Sequence, residues 1–110
     1  MDDTLTALAE PNRRRIVEAL RRGPKSVGEL VEELRLTQPL VSKHLRVLRQ
    51  AHLVRVQPRA QQRLYELEPA PFLELGSWIG SFGRLWEERL DTLDDYLKDV
   101  QRSSKRTGKP

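Results

Sequence analysis

Apolar residues recur along this chain first at spacings of three and four, then of two, then of three and four again. Leu5 and Leu8 share one face of a short N-terminal helix, which Pro11 interrupts at the first turn of a second. That second helix carries Ile16, Val17, Ala19 and Leu20 and is stopped by Gly23 and Pro24. Ser26 and Glu29 have the spacing of a capping box: the serine accepts from the N3 amide while the glutamate reaches back to the N-cap amide. They predict a third helix over 27–34. Thr37 as N-cap and Pro39 in the first turn predict a fourth over 38–50. Val41, Leu45 and Leu48 fall on one face of it, which turns Gln38, Ser42, Lys43, Arg46 and Arg49 outward.

The period then shortens. Residues 53–57 and 63–67 are rich in strand formers and flank Pro58-Arg59-Ala60-Gln61-Gln62, a hairpin with a polar, basic tip. Without Asn-Gly or Asp-Gly to fix a tight turn, the expected loop has about three to five residues. Beyond Pro69 and Pro71, large apolar residues return at helical spacing from Phe72 to Val100. One helix of about 30 residues would span roughly 45 Å, longer than a domain of this size is wide. Gly76, Gly80 and Gly83 weaken its first half by about 1 kcal/mol each relative to alanine, and either kink it or let another helix approach closely. Residues 102–110 contain no apolar side chain and are expected to form a disordered basic tail.

Two short helices on a tight link, followed by a basic two-stranded hairpin, are the parts of a winged helix-turn-helix. The predicted fold is therefore mostly α with a small β-hairpin wing (α+β) and a long C-terminal helix. Residues 1–70 form the DNA-binding part and 71–101 a dimerisation helix of the same unit. An α-helix fits the major groove when its polar face points outward, which makes Gln38, Pro39, Ser42, Lys43, Arg46 and Arg49 the candidate contacts. Arg59, Gln61, Gln62 and Arg63 at the hairpin tip suit phosphates or the adjacent minor groove. Arg13, Arg14 and Arg15 are weaker candidates, since basic surface residues are common.

Charge separates this reading from an ordinary solvated helix. The 110 residues carry a net charge of +4, unevenly placed. From Arg35 to Tyr65 there are seven basic residues and no acid, whereas from Glu66 to Val100 nine acids stand against three basic residues. A protein-interaction adaptor on the same fold has no reason to exclude acids from that stretch. An enzyme lacks its constellation here: there is no glycine-rich phosphate loop, and Ser42 and His44 face different sides of a helix. With no cysteine and only His44 and His52, no metal site or cofactor is expected, and His44, beside the core face, reads as structural. The acids from Glu87 to Asp99 read as a solvated helical face that keeps that end away from phosphate.

No run approaches the roughly 18 to 20 apolar residues of a membrane span. The first ten residues carry acids where a signal peptide is basic, so a cytoplasmic protein without a membrane partner is expected. A domain this small removes only about 60 to 65% of its unfolded surface from water. Part of the apolar stripe Trp78, Phe82, Trp86, Leu93 and Leu97 must pack on the winged domain. The rest, with Leu5 and Leu8, suits a homodimer seam.

Four segments carry a resemblance to a known family: Ala9-Glu10-Pro11-Asn12-Arg13-Arg14-Arg15-Ile16, Val27-Gly28-Glu29-Leu30, Thr37 through Leu48, and Arg63-Leu64-Tyr65-Glu66-Leu67. Together they resemble an ArsR-type winged-helix repressor over about residues 5–68, most specifically in Ser42-Lys43-His44-Leu45. The resemblance implies a bacterial homodimer that binds an inverted repeat of double-stranded DNA, blocks transcription and in many members is released by a ligand; it names no inducer. Arg35 and His52 stand where the family often has glycine, and both positions suit a positive φ. Val31, Glu32 and Glu33 replace the paired cysteines of metal-sensing members, so thiolate sensing cannot operate.

Overall fold

Three of the four helices of the N-terminal half start where something satisfies, or dispenses with, the amides a helix start leaves open. The computed structural model describes residues 1–59 and 61–107, with the side chains of Arg59 and of 103–107 left aside. Helix α1 (Asp2–Leu8) places Asp2 and Asp3 in its first turn, where acids favour the dipole. Helix α2 (Pro11–Leu20) has proline in its first turn and Glu10 as N-cap, whose carboxylate accepts from the Arg13 amide at 2.9 Å. Helix α3 (Val27–Leu34) has the complete Ser26/Glu29 capping box, and α4 (Gln38–Gln50) the Thr37 cap with Pro39 behind it.

The wing is strand β1 (Val54–Arg59) against strand β2 (Gln62–Leu67), antiparallel, in a register running from Val54↔Leu67 to Arg59↔Gln62. Pairing therefore continues to Arg59 and Gln62 and leaves two positions between the strands, fewer than the three to five expected. Pro58 is tolerated because a two-stranded ribbon has a free edge on which its missing N–H loses no partner. Lys25 adds a single bridge to the other edge of β2: its amide donates to the Tyr65 carbonyl at 3.0 Å, and its carbonyl accepts from the Tyr65 amide at 2.8 Å.

Two compact units divide the chain, Met1–Leu75 and Gly76–Pro110. In the first, Ile16, Leu30, Val41, Leu45, Leu48 and Leu53 are fully buried and join helices α2, α3 and α4 to the base of the wing. Each such side chain contributes about 1.5–3 kcal/mol by leaving water, so this core fixes where the outer face of α4 points. Leu8, Leu67 and Phe72 pack on it half-buried.

Instead of one C-terminal helix the chain forms α5 (Pro69–Gly80) and α6 (Gly83–Thr107). Helix α5 begins earlier than expected because Pro69 and Pro71 both sit in a first turn that needs no donors. The break falls between Gly80 and Gly83, where Ser81 Oγ donates to the Trp78 carbonyl at 2.6 Å and competes with the helical ladder. A methyl group at Gly76, Gly80 or Gly83 would meet nothing within its own chain, and Gly80 and Gly83 flank the break. Helix α6 continues to Thr107, so residues 102–107 are helical where a disordered tail was expected, and 108–110 lie outside the described residues. The lack of apolar positions misled there: Gln101 and Arg102 are good helix formers, and Arg102 reaches Asp99 one turn back at 3.1 Å.

Candidate nucleic-acid interface

The tight turn from α3 to α4 depends on Arg35, whose backbone adopts φ 55° and ψ 41°. His52 does the same at the other end of α4 with φ 60°. Between these two left-handed residues, α4 lays Val41, His44, Leu45 and Leu48 on the core. The opposite face presents Gln38, Pro39, Lys43, Arg46 and Arg49 to solvent, with Ser42 half-buried among them. On the wing, Gln61, Gln62 and Arg63 are exposed, while the Arg59 side chain falls outside the described ones.

The cations of this molecule fall into two groups. Arg21 lies 3.2 Å from Glu18, Lys25 3.4 Å from Glu33, Lys98 3.1 Å from Asp94, and Arg22 also holds Glu33. Among the described residues, Lys43, Arg46, Arg49 and Arg63 pair with no acid. Their charge is uncompensated and projects outward, the electrostatic footprint that a polyphosphate requires.

Arg55 does not share this property, although it lies in the acid-free stretch. Glu66 faces it across the ribbon, Glu68 follows at 3.4 Å, and their hydrogen bonds and charge raise the guanidinium pKa above its ordinary value. Sequence counting missed this because both acids lie just past Tyr65. Arg13, Arg14 and Arg15 are engaged elsewhere, donating to the carbonyls of Ala7 at 2.6 Å, Leu8 at 2.7 Å and Leu34 at 2.8 Å. Three arginines of α2 thereby close the C-terminal ends of α1 and α3, where carbonyls lack partners. Nothing in the residue types of α1 or α3 signals this; only the tertiary packing does.

His44 is buried, as its place on α4 suggested, and its Nε2 lies 3.7 Å from the carboxylate of Glu10, the N-cap of α2. Its Nδ1 has no hydrogen-bond partner among the described residues. No group of three or more His, Asp or Glu able to hold a metal occurs among those residues, and none of their helices is long and apolar enough to cross a membrane.

Of the residues expected at a seam between copies, Leu5, Trp78, Phe82, Trp86, Leu93 and Leu97 are exposed, while Leu8 packs on the core of its own chain. The Trp78 and Phe82 rings meet edge to face, 5.3 Å apart at 89°.

The sequence model described as "Bacterial regulatory protein, arsR family" matches residues 10–56, from the cap of α2 into the wing. The chain is 42% identical over 81 residues to the HTH-type transcriptional regulator Rv2034 of Mycobacterium tuberculosis, covering 74% of this chain and 76% of that protein. It is 27% identical over 82 residues to the transcriptional repressor SdpR of Bacillus subtilis, covering 74% of this chain and 91% of that one. A crystal structure of an ArsR family transcriptional regulator superposes with a TM-score of 0.67 at 30% identity, covering 78% of this chain and 94% of the other. These relatives are regulators and not enzymes, and the superposed structure shares the fold described above. The chain belongs to the ArsR family of DNA-binding transcriptional regulators.

Proposed function

We propose that the protein is a homodimeric repressor of an inverted-repeat operator, each copy laying α4 in the major groove and the wing on the neighbouring backbone or minor groove. The observation that carries this reading is the unpaired state of Lys43, Arg46 and Arg49 on the exposed face of α4, in a molecule that pairs many of its other cations. Gln38, Pro39 and Ser42 lie on or beside that face, so amide, apolar and hydroxyl groups supply base contacts while the cations hold phosphates or guanine. Arg59, Gln61, Gln62 and Arg63 act as the backbone clamp of the wing. Trp78, Phe82, Trp86, Leu93 and Leu97, with Leu5, bring two copies together, while Leu8 is already packed on its own core. The two recognition helices then read half-sites about 10 to 10.5 base pairs apart.

The test is binding to DNA from the region upstream of the protein's own gene, titrated from about 50 to 200 mM salt. A dimer with about six to ten phosphate contacts loses on the order of 10³ to 10⁵ in affinity across that range. Lys43→Ala and Arg46→Ala are each expected to weaken operator binding, by about 1–3 kcal/mol where the lost contact is bidentate to guanine, with the fold intact by circular dichroism. Full affinity in both variants refutes the assignment of α4.

A further inference from the structure

Helix α6 exposes more apolar surface than a single solvated helix needs, and the spacing of that surface specifies what fits on it. Trp86, Leu90, Leu93, Leu97 and Val100 follow at intervals of 4, 3, 4 and 3 residues, and each is 45% to 60% exposed. That is a heptad seam, with Leu90 and Leu97 at the a positions and the other three at d. A surface helix packing on its own domain needs a wider stripe with less strict spacing; a narrow seam of this kind fits another helix carrying the same repeat.

The residues flanking the seam choose the direction of that second helix. Glu87, Asp94 and Gln101 occupy the e positions, Arg89 and Tyr96 the g positions. In a parallel, in-register pair each g side chain meets the e side chain of the following heptad. Arg89 then faces Asp94 of the second copy, twice by symmetry, Tyr96 faces Gln101, and no like charges meet. An antiparallel pair opposes e to e and g to g instead. The alignments that overlap most of the seam set Asp94 against Asp94, or Glu87 against Asp94. Arg89 has no acid partner among the described residues, and Asp94 holds Lys98 at 3.1 Å through Oδ2, which leaves Oδ1 for a second cation.

We propose that α6 pairs with α6 of a second copy as a parallel, in-register, two-stranded coiled coil. The inference rests on the homodimer reading above and adds what that reading leaves open, the direction of the helices and the pairs that fix it.

A chain without cysteine makes the direction directly measurable. In the parallel arrangement Val100→Cys places two thiols within the roughly 4.4–6.8 Å Cα separation that a disulfide spans. In the antiparallel alignment that sets Asp94 against Asp94, residue 100 lies opposite residue 90 and the two Val100→Cys thiols are about 15 Å apart; in the one that sets Glu87 against Asp94 they are farther apart still, while residue 90 lies opposite residue 93 and two Leu90→Cys thiols come close. The full-length Val100→Cys and Leu90→Cys proteins are each oxidised and run on a non-reducing gel, with sedimentation of the reduced forms alongside. Expected is a predominantly covalent dimer for each variant alone. Failure of both to crosslink while the reduced proteins sediment as dimers overturns the coiled coil and leaves the homodimer standing. Disulfides only in the mixture of the two variants, or in Leu90→Cys but not in Val100→Cys, overturn the parallel direction. Monomers in sedimentation refute the homodimer together with the coiled coil. As a second check, Arg89→Glu is expected to weaken dimerisation about tenfold and Asp94→Arg in the same chain to restore it, two symmetry-related pairs being exchanged. An unchanged dimer in Arg89→Glu overturns the pairing.

Discussion

Replacing Arg35 by glycine should stabilise this protein, although it removes a large side chain from the centre of the helix-turn-helix. At φ 55° and ψ 41° a residue with a Cβ pays about 1–2 kcal/mol for the left-handed conformation, which glycine adopts freely. Glycine also gives the unfolded chain more freedom, which returns about 0.5–1 kcal/mol. Arg35 is exposed and makes no hydrogen bond or ion pair among the described residues, so its truncation should cost nothing else. The net gain for Arg35→Gly is about 0.5–1 kcal/mol, a rise in Tm of roughly 2–8 °C for a domain of this size. Urea and thermal unfolding followed by far-ultraviolet circular dichroism measure it, at one protein concentration because dimerisation shifts the midpoint. Arg35→Ala is the control: it removes the same guanidinium but keeps the Cβ, and should stay near the parent. If glycine gains nothing over alanine, the backbone of this turn is not strained and the reasoning fails.

Ser26→Ala removes the side-chain half of the α3 capping box and is expected to destabilise the protein by about 1 kcal/mol in the same urea experiment. The box also has a pH signature. Hydrogen bonds from the Ser26 amide and hydroxyl hold the Glu29 carboxyl below its ordinary value of 4.5, so its contribution is present above that value and disappears as the pH falls through the folded-state one. On acidification below 4.5 the parent should therefore lose stability more steeply than Ser26→Ala, and parallel curves would refute the linkage. Arg55→Ala should leave operator affinity and its salt slope nearly unchanged, because Glu66 and Glu68 already hold that guanidinium, whereas Arg46→Ala lowers both. Equal losses in the two variants would refute the division of the cations into paired and free.

The elements of the winged domain could be read from the sequence because their boundaries are written in local chemistry. The Ser26/Glu29 box, the Thr37 cap with Pro39, and the three-to-four spacing of Val41, Leu45 and Leu48 each act within a few residues, and the structure places α3 and α4 over the predicted ranges. The same holds for the outward face of α4, which follows from its inward one. The partners of the cations were not legible. Whether Arg55 faces DNA or an acid depends on the cross-strand register Arg55↔Glu66, and whether Arg13 to Arg15 meet phosphate or carbonyls depends on where α1 and α3 end in space. The course of the C-terminal segment was hidden for another reason: glycines weaken a helix without saying where it breaks, and a polar end such as Gln101–Thr107 is helical by propensity with no apolar periodicity to announce it.

The contact between His44 and Glu10 joins positions 34 apart in the chain and sets the underside of α4 against the start of α2. One of those groups is an imidazole whose Nδ1 has no partner among the described residues, and the other caps a helix. A change at residue 10 alters the one ionisable neighbour recorded for a buried imidazole among the described residues, whereas Glu10, with a third of its side chain exposed, can still meet water when residue 44 changes. Across the descent of this protein, substitutions at residue 10 should therefore come with a companion change at residue 44, however freely the DNA-facing side of the same helix diverges as operators do.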